Sequence, residues 1–515
     1  MKKWMKKSLA LVACMTLVMS MLAACGGSGT TTTTPNTNTA ASTGSTAATS
    51  TVKETDPSKM PLIKIAIPNS GNYDNNDKVT AEVNKILAEK LGVQVQFLWQ
   101  GFGSYSQQLN LMLTTAGEVD IFEVGGGPNN YYNNGQLLDL TDYWAGATDD
   151  FKSLFPQAYI DANSIGGRVY AIPAKINFSN EILVHANKEY VDGMGIEMDD
   201  EKIWSLDEIH DLVKQAMDTY PGIIGIAPQS GSQLVNQLNW ESLGDSYSIG
   251  VVPDRGASRK VISITDCEEF INFSKTMHEW YNEGLIMQDV LSNTEGWSAV
   301  VPTGRAFCDL DAGAYPNGET TDASLYYNLT IYPNWSASNC AVRIGYAIAG
   351  NTKYPAEAFA VLQELYTNED ICNLISWGVE GENYVLNENG QVEMPEGVTL
   401  ENNTWTVGNV NIWILPNMMR ASLDSSRLPG AWDRLMAYDD NAEISGCMGV
   451  VFNSEAVANE YTACINAYNK YYAAILSGAM ETEATLEQYK AELEASGEAA
   501  VIAEKQKQID AVYGN

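Results

Sequence analysis

Residues 62–124 switch repeatedly between two hydrophobic periods, and that switching narrows the fold more than any other feature of the chain. Leu62-Ile-Lys-Ile-Ala-Ile-Pro68 is a short, almost continuous apolar run, the pattern of a strand buried on both faces. Val79, Val83, Ile86 and Leu87 then recur at i, i+4, i+7 and i+8, the stripe of an amphipathic helix over 78–91 that Gly92 ends. Val93, Val95, Phe97 and Trp99 alternate with Gln94, Gln96 and Leu98, which is strand spacing. Ser104 is placed to cap a second helix carrying Leu109, Met112 and Leu113, and 119–124 reads as a third strand. A βαβαβ run implies parallel strands joined by right-handed crossovers, so the class is α/β.

Ligands of such sheets bind outside the carboxyl ends of the strands. Here those ends run into "NSGNYDNND" (69–77), "QGFGS" (100–104) and "GGGPNNYYNNG" (125–135). These segments offer amide donors and acceptors beside flat aromatic faces, and they lack the Lys and Arg that phosphates favour. Asn69, Tyr73, Gln100, Asn129 and Tyr131 are the binding candidates they supply. A second α/β region follows Pro173, with helices expected near 206–220 and 355–378 and a strand at 342–350. Two helices are expected at the end, over about 455–476 and from a capping box at Thr485-x-x-Gln488. About 460 residues of body suffice for two domains.

The amino terminus sets the location. Lys2, Lys3, Lys6 and Lys7 precede an apolar run, 8–22, too short for a comfortable membrane span. Leu22-Ala-Ala-Cys25 resembles the lipobox of exported bacterial lipoproteins, which implies cleavage after residue 24 and diacylglycerol on Cys25. Residues 25–57 then form the lipidated cysteine and a Thr/Ser/Gly-rich tract with no hydrophobic period, a flexible leash. The expected location is the outer face of the cell membrane.

Charge and motif inventory exclude other classes. The chain has 30 Lys+Arg against 64 Asp+Glu, a formal net charge of -34, so nucleic acid is not an expected partner. Cys267, Cys308, Cys340, Cys372, Cys447 and Cys464 show no CxxC spacing; they read as buried small hydrophobes, with one or two disulfides left open. His185, His210 and His278 make no HxxxH or HxH pair, so spacing gives no metal centre and no cofactor is expected. Gly101-Phe-Gly103 lacks the third glycine of a dinucleotide loop. No nucleophile elbow, P-loop or catalytic Cys–His pair is present, and the chain is read as a non-enzyme, a monomer that binds.

Several stretches carry a family resemblance: "LNLMLTTAGEVDIFEV" (109–124), "GQLLDLTDYW" (135–144), "GGRVYAIP" (166–173), "EGLIMQDVL" (283–291), "TGRAFCDLDAGAYPN" (303–317) and "ISWGVEGENYVLNENGQVEMPEG" (375–397). From about residue 60 onward the chain resembles the bacterial extracellular solute-binding proteins of family 1, in the LplA-like group with a DUF3502 carboxyl-terminal region. The usual proline before the Asp of the third strand is replaced by Val119. The resemblance implies a two-lobed periplasmic-binding-protein fold with parallel-dominated sheets and a hinge of crossing segments. One lobe would be 58–175 plus 338–395, the other 176–337 plus 396–515. It also implies a carbohydrate ligand, an oligosaccharide above all, delivered to ABC permease subunits in the membrane.

Within that frame the remaining candidates are Asn177 and Phe178, the pair Asp309 and Asp311 with Tyr315 in the cleft-side segment, and Trp240, Trp297, Trp335 and Trp377 in polar, turn-rich contexts. Aromatic faces stack on pyranose C–H faces, and carboxylates and amides accept hydroxyl hydrogens. Trp413, between Ile412 and Ile414, reads as core. A secreted lipoprotein glycosidase using a carboxylate pair, a binder of peptides or other polar solutes, and a structural surface lipoprotein are the rival readings.

Overall fold

The computed structural model describes residues 56–199, 202–235, 238–313 and 325–514. The signal segment, Cys25, most of the threonine-rich tract and Tyr315 lie outside the described residues.

The expected βαβαβ run is present. Strand β1 (Leu62–Pro68), helix α1 (Asn76–Leu91), strand β2 (Gln94–Gln100), helix α2 (Phe102–Leu113) and strand β3 (Ile121–Glu123) follow in order. β1 pairs in parallel with β2 from Leu62↔Gln94 to Pro68↔Gln100, and with β3 on its other side. Strand Gly345–Ile348 runs antiparallel beside β3, and Ile172–Pro173 closes that edge. Ile63, Ile65 and Ile67 face Val79, Val83 and Leu87 of α1 in one core, while Ala66 and Phe122 meet Tyr105, Leu109 and Leu113 of α2 on the opposite face. Burial on both faces is why β1 is apolar at nearly every position; each buried branched side chain contributes roughly 1.5–3 kcal/mol.

The second core is built on strand Asn180–Asn187. It pairs antiparallel with Tyr326–Ser336 and with Asp311–Gly313, and Glu443–Ile444 adds a parallel edge. This sheet is thus mainly antiparallel, unlike the first. Ile182, Val184 and Ala186 point to a core shared with helices Leu206–Thr219, Glu268–Asn282 and Ala458–Leu476. Period-two alternation sends Glu181 and His185 to the other face. Strands Ile224–Ala227 and Ala306–Asp309 pair in parallel beside it. Residues beyond the expected boundary at 395, including Trp405, Leu415 and Leu435, pack into the first core.

Side chains that bond to their own backbone set several helix ends differently from expectation. α2 starts at Phe102 with Gly101 as cap, and Ser104 sits in its first turn, bonded to Gly101 O. The run 355–378 is two helices, Pro355–Thr367 and Glu369–Trp377, because the Asn368 side chain accepts from Ile371 N and caps the second. The last segment holds three helices, not two. Glu481 rather than Thr485 caps Thr482–Ala495, and Gly497, at φ +89°, separates it from Glu498–Tyr513. The six cysteines of the body are buried free thiols, which closes the disulfide question.

The chain passes between the two cores near 176–182, 331–340 and 448–457. Carboxylates clamp these passages. Asp439 accepts from Phe178 N (2.9 Å), Ser179 N (3.0 Å) and Ser179 Oγ (2.6 Å). Glu241, buried, accepts from Ser338 N and Oγ and from Ser445 Oγ. The loop around Glu241 is conformationally costly. Leu243, Ser248, Asp254, Arg255 and Arg259, the non-glycine residues with positive φ among those described, all fall in it.

Candidate functional site

The carboxyl ends of β1, β2 and β3 form one face. Asn69 is buried and structural: its N–H donates to Gln100 O (2.7 Å), and its Oδ1 accepts from Gly71 N (2.6 Å). Gly71 is required here, since a Cβ would stand 2.6 Å from Thr406 O. The adjacent Ser70 N donates to Asn411 Oδ1 (3.0 Å), drawing the 406–414 segment to the strand ends. That segment carries Trp413, which the short turn Ile412–Ile414 rotates outward instead of into the core. Trp413 and Phe102 are each 41% exposed and stack at 5.7 Å between ring centroids, 17° from parallel. Gln100, two residues before Phe102, is half-buried; its Nε2 approaches Met112 Sδ (4.0 Å), and its amide oxygen has no partner among the described residues. Neither Phe102 nor Trp413 was among the sequence candidates. Apolar neighbours suggested core for Trp413, and only the following Pro416 hinted at a break.

Tyr73 is half-buried and faces Trp99 at 6.2 Å, so it braces the β1 loop. Asn129 is exposed and lines a groove of about 750 Å³ with Ala158, Gly166, Met448, Gln508 and Tyr513. Tyr131 leans on Phe122 at 5.3 Å and stays half-buried. Glu123, at the end of β3, is buried with no hydrogen bond to its carboxyl group among the described residues, and burial pushes its pKa up to about 8. The unfolded carboxyl ionises near 4.5 while the folded one keeps its proton until about 8. Its contribution is therefore fully present below 4.5 and is lost as pH rises toward 8. Glu123→Gln should match the wild type near pH 4.5 and stabilise by roughly 2–4 kcal/mol at pH 8, at about 1.4 kcal/mol per pH unit. Melting curves at the two pH values check this, and a lower melting point for the variant at pH 8 would refute it.

The second lobe supplies a polar cluster. His185 and Asp309 are fully buried: Asp309 Oδ1 accepts from His185 N (2.8 Å), and both carboxylate oxygens lie 3.1 Å from Nδ1. Burial alone would lower the imidazole pKa, but the Asp309 carboxylate and its hydrogen bond, with Asp311 and Glu181, carry it above its ordinary value. Burial, then the Asp309 charge, push Asp311 up to about 6. Gln229, just past strand Ile224–Ala227, touches Asp311 through its side-chain amide. Trp297 lies flat on His185, centroids 4.1 Å apart, with Tyr326 edge-on at 5.4 Å. One face of Trp297 is thus covered by the imidazole. Asp309 and Asp311 are joined to His185 across about 125 positions of sequence, which spacing cannot reveal.

The other candidates lie in supporting structure. Trp240 is fully buried and edge-on to Phe270, a core residue of the second lobe. Phe178 is buried against Tyr159 at 4.6 Å. Trp335 is buried with the Arg255 guanidinium 6.0 Å from its ring, and Trp377 is buried with its indole N–H on Ser422 O. Large apolar rings flanked by polar residues still pack inward when a core position is available. Asn177 is half-buried at the first passage between cores, its carbonyl accepting from Arg343 Nη2 (3.0 Å).

Two mixed sheets, two cores and three passages between them define the class. The family model for bacterial extracellular solute-binding proteins matches residues 74–370, more than half of the chain, and a domain of unknown function, DUF3502, matches 447–513. The chain belongs to the bacterial extracellular solute-binding protein family and has its two-lobed fold. A carbohydrate ABC transporter substrate-binding protein of Streptococcus pneumoniae serotype 4 is 24% identical over 480 residues, covering 90% of this chain and 93% of that protein. The crystal structure of the N-glycan transport solute binding protein NgtS of S. pneumoniae matches with a TM-score of 0.69 at 22% identity, over 88% of this chain and 99% of that one. An HMO-binding solute-binding protein of Bifidobacterium longum infantis matches at 0.55 and 14% identity, over 88% and 99%.

Proposed function

We propose that this protein is the lipid-anchored receptor of an ABC importer, that it holds an oligosaccharide between its lobes, and that it hands the sugar to permease subunits without chemical change. The observation that carries this reading is the exposed Phe102–Trp413 stack where the parallel strands end, close in sequence to Gln100, whose amide oxygen has no partner among the described residues. A sugar ring presents an apolar face for such a platform and hydroxyls for such an amide. The carbohydrate relative in S. pneumoniae supports the same class. The lobes assigned to the closing motion are 58–175 with 338–395 and part of the 405–435 segment, against the remainder of the body. Asn129 and Tyr131 contribute from the first lobe, and the open face of half-buried Trp297 from the second.

A glycosidase pair at Asp309 and Asp311 is disfavoured by burial. Both oxygens of Asp309 are engaged by His185, and Asp311 is 4% exposed with the Gln229 amide on one of its oxygens, so neither is presented to a substrate and water as a glycosidase pair must be. Ligand bridging both lobes stabilises the closed form by population shift. Small-angle scattering should show the radius of gyration falling when an oligosaccharide is added and staying constant with peptides; compaction by peptides alone would sink the sugar reading. For the anchor, Cys25→Ala should move the protein from the membrane fraction to the medium, and retention on membranes would contradict it.

A further inference from the structure

On the face of strand Asn180–Asn187 turned from the second core, three carboxyl groups and one imidazole are shut away from water. Glu181, His185, Asp309 and Asp311 are each at most 7% exposed. No lysine or arginine among the described residues pairs with any of them; their one ion pair is His185 with Asp309. Even with the imidazole protonated, the ionised cluster is negative. A buried setting penalises that unless a cation or added protons balance it.

The geometry favours the cation. One ligand-type atom from each of His185, Asp309 and Asp311 lies within 4.8 Å of the others. A carboxylate accepts, so Asp309 holds a proton on His185 Nδ1, and a cation at Nε2 would take the place of the second proton of the imidazolium. That Nε2 is buried and meets no partner among the described residues, and neither does Gln229 Oε1, whose amide group touches Asp311. A carboxylate on one imidazole nitrogen and a free lone pair on the other is the arrangement that orients a metal-binding histidine. We propose that the His185–Asp309–Asp311 cluster holds a divalent cation of the zinc or manganese class, with the imidazole, the Asp311 carboxylate and the neighbouring Gln229 carbonyl as its available donors and Asp309 orienting the imidazole. An imidazole ligand selects against calcium and magnesium, which prefer all-oxygen shells. Zinc takes nitrogen and oxygen ligands at about 2.0–2.2 Å, so the groups would draw together on binding. Gln229 and Trp297, in contact with Asp311 and His185, are each only half-buried. The site does not depend on which solute the protein carries.

The test is metal binding to the tag-free chain. After equilibration with Zn²⁺ or Mn²⁺ and gel filtration, native mass spectrometry should show one ion per chain, and Co²⁺ should give visible absorption bands of a nitrogen-containing site. His185→Gln and Asp311→Asn should each weaken binding at least tenfold. Should either fail to fold, Gln229→Leu, at a half-buried position, must weaken it too, and Trp297→Phe should keep the ion while losing the tryptophan quenching by bound Co²⁺. No retained ion, binding unchanged in the variants, or retention of Ca²⁺ and Mg²⁺ only would overturn the proposal.

Discussion

Lys505→Met should lower the unfolding free energy by about 3–5 kcal/mol, the range for removing one partner of a buried ion pair. Lys505 lies on helix Glu498–Tyr513 and is fully buried. Its ammonium spends its three donors on Ser242 O (3.1 Å), Asp245 Oδ2 (2.8 Å) and Gly250 O (2.8 Å). Asp245 in turn accepts from Tyr247 N, Ile249 N and the Tyr461 hydroxyl. The loop being tied is the one with unfavourable backbone angles at Leu243 and Ser248, which needs outside contacts to hold it. Methionine keeps the volume of the stem but leaves Asp245 charged and two carbonyls short of a donor. Adding Asp245→Asn should recover part of the loss, because the stranded charge goes with it. Denaturant midpoints of the three variants measure this. A loss under about 1 kcal/mol for Lys505→Met would mean the terminal helix is not a structural staple of the second lobe.

Trp413→Ala should weaken oligosaccharide binding about 10–100-fold, or roughly 1.4–2.8 kcal/mol at 1.4 kcal/mol per tenfold, while leaving the melting point nearly unchanged. The two halves of that expectation come from the same facts. The ring is 41% exposed, stacks on the equally exposed Phe102 and borders an open cavity, so truncation costs the fold little. Exposed aromatic anchors, by contrast, carry a large share of binding energy where they are met by a partner. Trp240→Ala should give the opposite pattern, a large loss of stability, since that ring is in the second core. Calorimetric titrations beside thermal melts separate the two. Unchanged affinity for Trp413→Ala would remove the aromatic platform from the site.

The contrast between these tryptophans shows what the sequence could reveal. The parallel half of the first sheet was readable because β1, α1 and β2 follow one period each without interruption. Burial on both faces of β1 leaves few polar positions to confuse the pattern. Helix ends were less readable, because Asn368 and Glu481 cap through their own side chains in runs that stay helical in composition. The site was partly legible. The segments around Gln100 and Asn129 do follow the carboxyl ends of β2 and β3, as α/β topology implies. Trp240 and Trp413 exchanged roles because local polarity predicts exposure poorly for large rings: a polar neighbourhood surrounds the buried one and two isoleucines flank the exposed one. The His185–Asp309–Asp311 cluster was invisible to spacing, since strands far apart in sequence bring it together.

Titration calorimetry of the chain against a glycan panel decides whether it binds carbohydrate between its lobes. The panel should span mannose-and-GlcNAc oligosaccharides and other linkages, with peptides and free amino acids alongside. One site per chain is expected for at least one oligosaccharide, with a Kd of about 1 μM or tighter, equivalent to about -8 kcal/mol. Carbohydrate binding is contradicted if no glycan gives heat while a peptide or amino acid binds at that strength.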